Sequence, residues 1–336
     1  MKNCSYMITS RHIFIILHNI LFIANRLMVF IRTFIIIISC LLAVLNGSAQ
    51  KVDRDRLLND IKTLSSRDFS GRKPGTMGHQ KARTYLAGRF QALALKPFQE
   101  GYLDTFAMTN GLTGYNIIGY IPGKREDAIV ISGHYDHLGE RNGAIYYGAD
   151  DNASGASALL ALAAYFSGHR PNHTLIFAAF DAEEMGLQGA RAFVRAPPIP
   201  LDRIVLNVNM DMVSRNDNNE LYASGTYHYP FLSPFIKSDS RFITLKTGHD
   251  QPGSGHDDWT KQSDHAAFHE AGIPFIYFGV EDHPDYHTPR DTYERIQPDF
   301  FHHAVLAILD VLENIDKETL PSPKLVRSGS AVGDLP

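Results

Sequence analysis

Apolar positions along this chain alternate between two spacings. Leu57, Leu58, Ile61 and Leu64 recur at helical intervals and predict a helix over Asp53–Ser65. His79–Leu95 reads the same way. Tyr115–Ile121 and Ala128–Ser132 are β-branched runs, with Pro122-Gly123 as the turn between them. Ala153–Phe166 is a small-residue helix. His173–Phe180 is nearly unbroken apolar sequence, the pattern of a central strand buried on both faces. Glu184–Val194 predicts a helix and Ile204–Asn209 a strand. Phe231–Lys237 reads as a short helix, Asp264–Ala271 as another, and Pro274–Phe278 as a strand. Phe300–Ile315 is a closing amphipathic helix, and Ser70–Gly78 is a loop by composition. Strands alternating with helices predict an α/β fold, a single domain with a mostly parallel mixed β-sheet flanked by helices. No internal repeat interrupts it.

The first fifty or so residues follow a different pattern. Ile13–Ile23 and Phe34–Leu45 are apolar, with Arg26 and Arg32 between them. From Met28, a candidate start, the stretch reads as a secretory signal. Arg32 is its basic segment, Phe34–Leu45 its apolar segment, and Gly47-Ser48-Ala49 its small-residue cleavage site. Cleavage there leaves Gln50 first. The apolar run is short for a membrane span. An uncleaved anchor and a lipid attached at Cys40 are the alternative readings. The expected organisation is a leader over 1–49, one domain over 50–316 and a polar tail over 317–336. Both cysteines, Cys4 and Cys40, fall in the leader, so the mature chain has none to pair. Roughly 285 residues must then be stabilised by a core. The net charge of −4 is mild, and no basic stripe is present, which argues against a nucleic-acid partner.

Five segments carry metal-ligating side chains. Strand Ala128–Ser132 runs into His134 and Asp136, which face the same way on an extended chain. His134 can bind a metal while Asp136 supports its imidazole. Asp150-Asp151 precede a helix start, and one aspartate can bridge two ions through its two oxygens. Asp181-Ala-Glu183-Glu184 follow the most apolar strand. Two adjacent glutamates aimed into one site need cations nearby, and their natural division is one ligand and one general base. Asp211 ends another strand, and His287 lies in a proline-containing loop. Imidazole and carboxylate together suit zinc. Ligands in open α/β sheets collect at the carboxyl ends of strands, where three of these segments lie.

These residues resemble a known family. Gly71-Arg72, Gly75-Thr-Met-Gly78, Gly133-His134-Tyr-Asp136, Asp150-Asp151-Asn-Ala-Ser-Gly155, Asp181-Ala-Glu183-Glu184, Asn209-Met-Asp211-Met, Ser263-Asp264-His265 and His287-Thr-Pro-Arg-Asp291-Thr292 are similar to the co-catalytic zinc aminopeptidases of peptidase family M28. The likeness covers Asp53 to Ile315. It implies two Zn2+ per chain. His134, Asp151 and Asp211 would hold one ion, and Asp151, Glu184 and His287 the other, with Asp151 bridging. It implies Glu183 as general base and Asp136 as the acid that orients His134. Asp150 and His265 are candidates for lining or supporting the site, and the loop 248–262, with Trp259, for contributing to a pocket. The remaining histidines are expected to be structural. The implied function is hydrolysis of N-terminal residues from peptides by an exported protein, periplasmic or extracellular, touching a membrane only through its leader. A single-zinc glutaminyl cyclase and a non-catalytic receptor-like domain are the rival readings.

Overall fold

The structure is a computed structural model that describes residues 10–45 and 51–323. The expected cleavage site at Gly47-Ser48-Ala49, Gln50, and the tail beyond Pro323 lie outside the described residues. The chain divides into two units, Met1–Gln50 and Lys51–Pro336.

The first unit contains one helix, α1 (Ser10–Leu45). The two apolar runs are therefore joined: Arg26 and Arg32 are good helix formers and do not break it. Joining them changes the length argument. Leu17–Ile36 is a 20-residue stretch of mean hydropathy 1.6, long and apolar enough to cross a membrane.

The second unit is built as α2 (Arg54–Leu64), α3 (Met77–Ala92), β1 (Lys96–Pro97), β2 (Leu103–Ala107), β3 (Thr113–Ile121), β4 (Ala128–His134), β5 (Gly139–Arg141), β6 (Ala144–Tyr146), α4 (Gly155–Gly168), β7 (Thr174–Phe180), α5 (Gln188–Arg195), β8 (Ile204–Met210), β9 (Glu220–Ser224), β10 (Thr244–Thr247), α6 (His265–Glu270), β11 (Phe275–Gly279) and α7 (Pro298–Asp316). Asp53 caps α2 by accepting from the Arg56 N–H, and Thr76 caps α3 by accepting from that of His79. Pro298 opens α7, where its missing N–H costs nothing.

The main sheet runs β1-β3-β7-β4-β8-β11-β9-β10, with β2 also on β3. Its centre is parallel: β4 pairs with β7 and β8, and β8 with β11. Outside the centre, β3 is antiparallel to β7 and β9 to β11. Consecutive strands β3 and β4 are not neighbours, because β7 inserts between them. One face packs Leu57, Ile61, Phe90, Leu159, Leu162, Ile308 and Leu312 from α2, α3, α4 and α7 against Ile129, Ile131, Phe177 and Val208. The other packs Phe193 of α5 and Phe268 of α6 against Val130, Ile176 and Phe180. β4 and β7 are buried almost throughout because both of their faces are covered.

Two expectations needed revision. The helix predicted from Glu184 starts only at Gln188, because Gly186 (φ 96°) and Leu187 (φ 58°) are left-handed and fold the chain back. The segments β1, β2, β5, β6, β9 and β10 were not expected as strands, because at two to five residues each they are too short for a period to show.

Candidate metal centre

The parallel centre of the sheet delivers its ends to one place. β4 terminates on His134, which lies beside Phe180 at the end of β7. Ala182 then takes a left-handed φ of 56°, so the chain turns and presents both Glu183 and Glu184. β8 leads into Asp211, followed by Met212 at φ 58°. The loop after β11 brings His287, itself at φ 53°. Left-handed backbone at non-glycine residues is uncommon and clusters where side chains must be aimed. Asp151 comes from the turn before α4, the only ligand segment that does not follow a main-sheet strand.

All five expected ligands converge. His134 Nε2 lies 3.4 Å from Asp151 Oδ1, 3.3 Å from Asp211 Oδ2 and 3.9 Å from Glu183 Oε2. His287 Nε2 lies 2.9 Å from Asp151 Oδ2 and 3.4 Å from Glu184 Oε1. The two oxygens of Asp151 thus face two separate clusters. One unexpected residue joins the second: His137 Nδ1 is 2.8 Å from Glu184 Oε1 and 3.6 Å from Asp151 Oδ2.

Among the described residues, Glu184 Oε1, Asp211 Oδ1, Asp136 Oδ2, both ring nitrogens of His137 and both oxygens of Asp264 are buried without a hydrogen-bond partner. Buried polar atoms left this way are costly. Divalent cations would satisfy the atoms in the two clusters, so these residues fit the metals that imidazole and carboxylate donors select, zinc among them.

The electrostatics agree. Burial pushes the Glu183 carboxyl well above its usual range; His134 opposes this, and Asp211 and Asp264 reinforce it. Burial likewise raises Asp264, to about 8, despite the nearby His134. Burial also opposes charge on Asp151, but His137, His134 and His287 outweigh it and hold that carboxyl well below its usual range. His287 is raised to about 10, since Asp151 and Glu184 outweigh its burial. Too many acids for the available imidazoles is a charge distribution that a bound cation reverses.

Supporting groups hold these atoms in place. Asp136 lies beside both His134 and Glu183. His134 Nδ1 meets the main-chain carbonyl of Asp136 at 3.2 Å, whereas the carboxylate is 3.6 Å away. That carboxylate also accepts the Glu183 N–H at 3.0 Å. Asp150 is committed elsewhere: it accepts from the Ser214 N–H and hydroxyl at 2.7 Å and pairs with His283 at 3.1 Å. It braces the loops rather than facing the cleft. His265 is buried, pulled down to about 3 by that burial, and its neutral ring donates from Nε2 to the Trp259 carbonyl at 2.9 Å. It does not reach the clusters.

Two other supports lie in segments that carry the family likeness, although the sequence assigned them no role. Asp291 accepts the N–H groups of Asp150 and Asp151 at 2.9 and 3.1 Å and so fixes the turn that aims Asp151. Arg72 is fully buried and donates to the carbonyls of Leu64, Tyr135, Tyr147 and Gly148 at 2.7–2.8 Å. It ties the segment after β4 to the segment before Asp151. Burial lowers its guanidinium to about 10, so it remains charged at neutral pH.

A cleft of about 320 Å³ opens over the carboxylates. Its wall includes Leu187, Met212, Trp259, Tyr277, Val280 and Tyr286. Trp259 is thus in the cleft, whereas His256 is exposed and pairs with Asp282 at 3.3 Å.

Comparison with known proteins gives a consistent picture. Residues 116–312 match the family model described as Peptidase family M28. The aminopeptidase YwaD of Bacillus subtilis (strain 168) is 34% identical over 246 residues, covering 68% of this chain and 50% of that protein. The chain spans about half the length of the curated relatives it matches. The solved zinc aminopeptidase BSAP from Bacillus subtilis has the same fold, with TM-score 0.63 and 20% identity over 80% of this chain and 96% of that one. A Bacteroides thetaiotaomicron glutaminyl cyclase bound to N-acetylhistamine also shares the fold, with TM-score 0.64 and 22% identity over 78% and 98% of the two chains.

Proposed function

The chain belongs to peptidase family M28, and from that premise we propose that it is a di-zinc metallo-aminopeptidase that removes N-terminal residues from peptides. The observation that carries this reading is the pair of adjoining histidine–carboxylate clusters, with one Asp151 oxygen turned to each. His134 and Asp211 would hold one ion, Glu184 and His287 the other, and Asp151 both. Zinc held by these residues would supply Lewis acidity for a scissile carbonyl and a more acidic bound water.

The remaining chemistry belongs to the protein. Glu183 takes the proton from the attacking water and returns it to the departing amine, a role suited to a carboxylate that burial holds well above its usual range. Asp136 fixes the backbone of Glu183 and so holds the base in position. The acidic cleft attracts the ammonium of a free N-terminus. The apolar wall of Leu187, Met212 and Val280 accommodates the side chain of the residue to be removed.

The N-terminal apolar helix is compatible with a signal peptide or an anchor. We read it as a signal that exports the domain, cleaved after Ala49.

The cyclase reading rests on the shared fold of the Bacteroides enzyme; the two complete clusters here favour the peptidase. Elemental analysis combined with turnover separates the readings. Two zinc ions per chain and hydrolysis of an aminoacyl anilide are expected. One ion with cyclisation of a glutaminyl peptide would replace the proposal with the cyclase. Neither ion nor turnover would leave a binding domain.

A further inference from the structure

His137 lies three residues beyond His134, past the end of β4, and its side chain is enclosed. Room for the ring is built into the fold. Gly148 opposes it so closely that an added Cβ would lie 2.5 Å from His137 Cγ, and the Gly148 φ of 58° also favours glycine. The Gly148 carbonyl is in turn held by Arg72 at 2.7 Å.

Within this enclosure His137 Nδ1 comes to 2.8 Å from Glu184 Oε1, the distance of a strong hydrogen bond. Yet the angles do not make one, and both atoms remain buried with no hydrogen-bond partner among the described residues. Two donor atoms this close but not aimed at each other are arranged around a common point. Asp151 contributes to the same group, and the ligand atoms of His137, Asp151 and Glu184 all lie within 4.8 Å of one another. His287 Nε2 reaches the same two carboxylates from the open side of the cleft.

We propose that His137 is a fourth protein ligand of the second ion, bound through Nδ1 beside Asp151, Glu184 and His287. The inference rests on the two-ion reading above. It gives the two sites different characters. Four protein ligands close a zinc site, whereas three leave a position open. The site of His134, Asp151 and Asp211 then remains open, and Glu183 stands beside it, 3.9 Å from His134. The second site anchors; the first receives substrate.

The atoms facing the carboxylates make this distinguishable. His134 and His287 present Nε2, and His137 alone presents Nδ1. The full-length protein, with its histidines labelled with nitrogen-15 and its sites loaded with cadmium-113, should show scalar coupling from cadmium to one Nδ1 as well as to Nε2 nitrogens. His137→Asn should abolish the Nδ1 coupling. It should also weaken binding of the second zinc by more than the roughly 10–100-fold that follows loss of a ligand's supporting partner. Two bound ions with no Nδ1 coupling would overturn this inference alone, whatever the folding of the variant. Fewer than two ions at saturation would overturn the two-ion reading and this inference with it.

Discussion

Glu183 and Glu184 are adjacent, yet their surroundings drive them in opposite directions. Glu183 is raised by burial among acids, despite His134. Burial and Asp151 also work against charge on Glu184, but His137 and His287 outweigh them and lower it. These directions suit the proposed division of labour, with Glu183 as the proton-exchanging group and Glu184 as a standing anion. Glu183→Gln keeps the shape and removes the base, so kcat should fall by a factor on the order of 10² to 10⁴ with zinc content near that of the wild type. Glu184→Gln should lose zinc affinity together with activity. If Glu183→Gln loses the metal and Glu184→Gln keeps it, the roles are reversed. Four of the five expected ligands could be picked out of the sequence because each pairs a chemical group with a strand end or a glycine-flanked turn, and His287, in a proline-containing loop, stood out through the family likeness. His137 was harder to read: a histidine three places beyond another looks like a loop residue until Glu184 is folded against it. Arg72 and Asp291 matter through carbonyls and N–H groups supplied by other segments, and a linear pattern carries no trace of such partners.

Elements meet at their ends as well as along their faces. Asp316 closes α7 and accepts the N–H groups of Asn172 and His173, at 2.8–3.0 Å, where β7 begins. It also meets the His173 ring at 3.3 Å, and that ring lies 3.6 Å from Asp127. Burial opposes the charge on Asp316, but His173 and these N–H groups outweigh it and hold the carboxyl below its ordinary value of 3.8. A carboxyl with a depressed folded pKa stabilises the fold fully above its unfolded value and loses that contribution as pH falls through the folded one. Asp316→Ala should therefore cost about 1–3 kcal/mol at neutral pH, measured by urea unfolding. The difference from wild type should shrink as the pH drops below 3.8. An undiminished difference at low pH would mean that the charge is irrelevant. The central strands and long helices could be read from periodicity because burial on one or two faces imposes it. The edge strands β2 and β10 are half exposed, so their sequences are under no such constraint.

For the molecule as a whole, the leader is the part with an expected fate. Protein taken from its native host should begin at or near Gln50 when its N-terminus is sequenced. Residues 28–45 still attached would make α1 an anchor instead. The second unit has a different problem, which is how it holds so many buried acids together when no cation lies among them. Asp136, Asp151, Glu184 and Asp291 all attract the guanidinium of Arg72, which makes no direct ion pair with them. Arginine cannot be given up to a chelator or competed away by another ion. It serves as a permanent resident cation behind the cradle, installed by translation rather than by supply. With or without a metal in front of it, the acidic shell keeps one positive charge at its back.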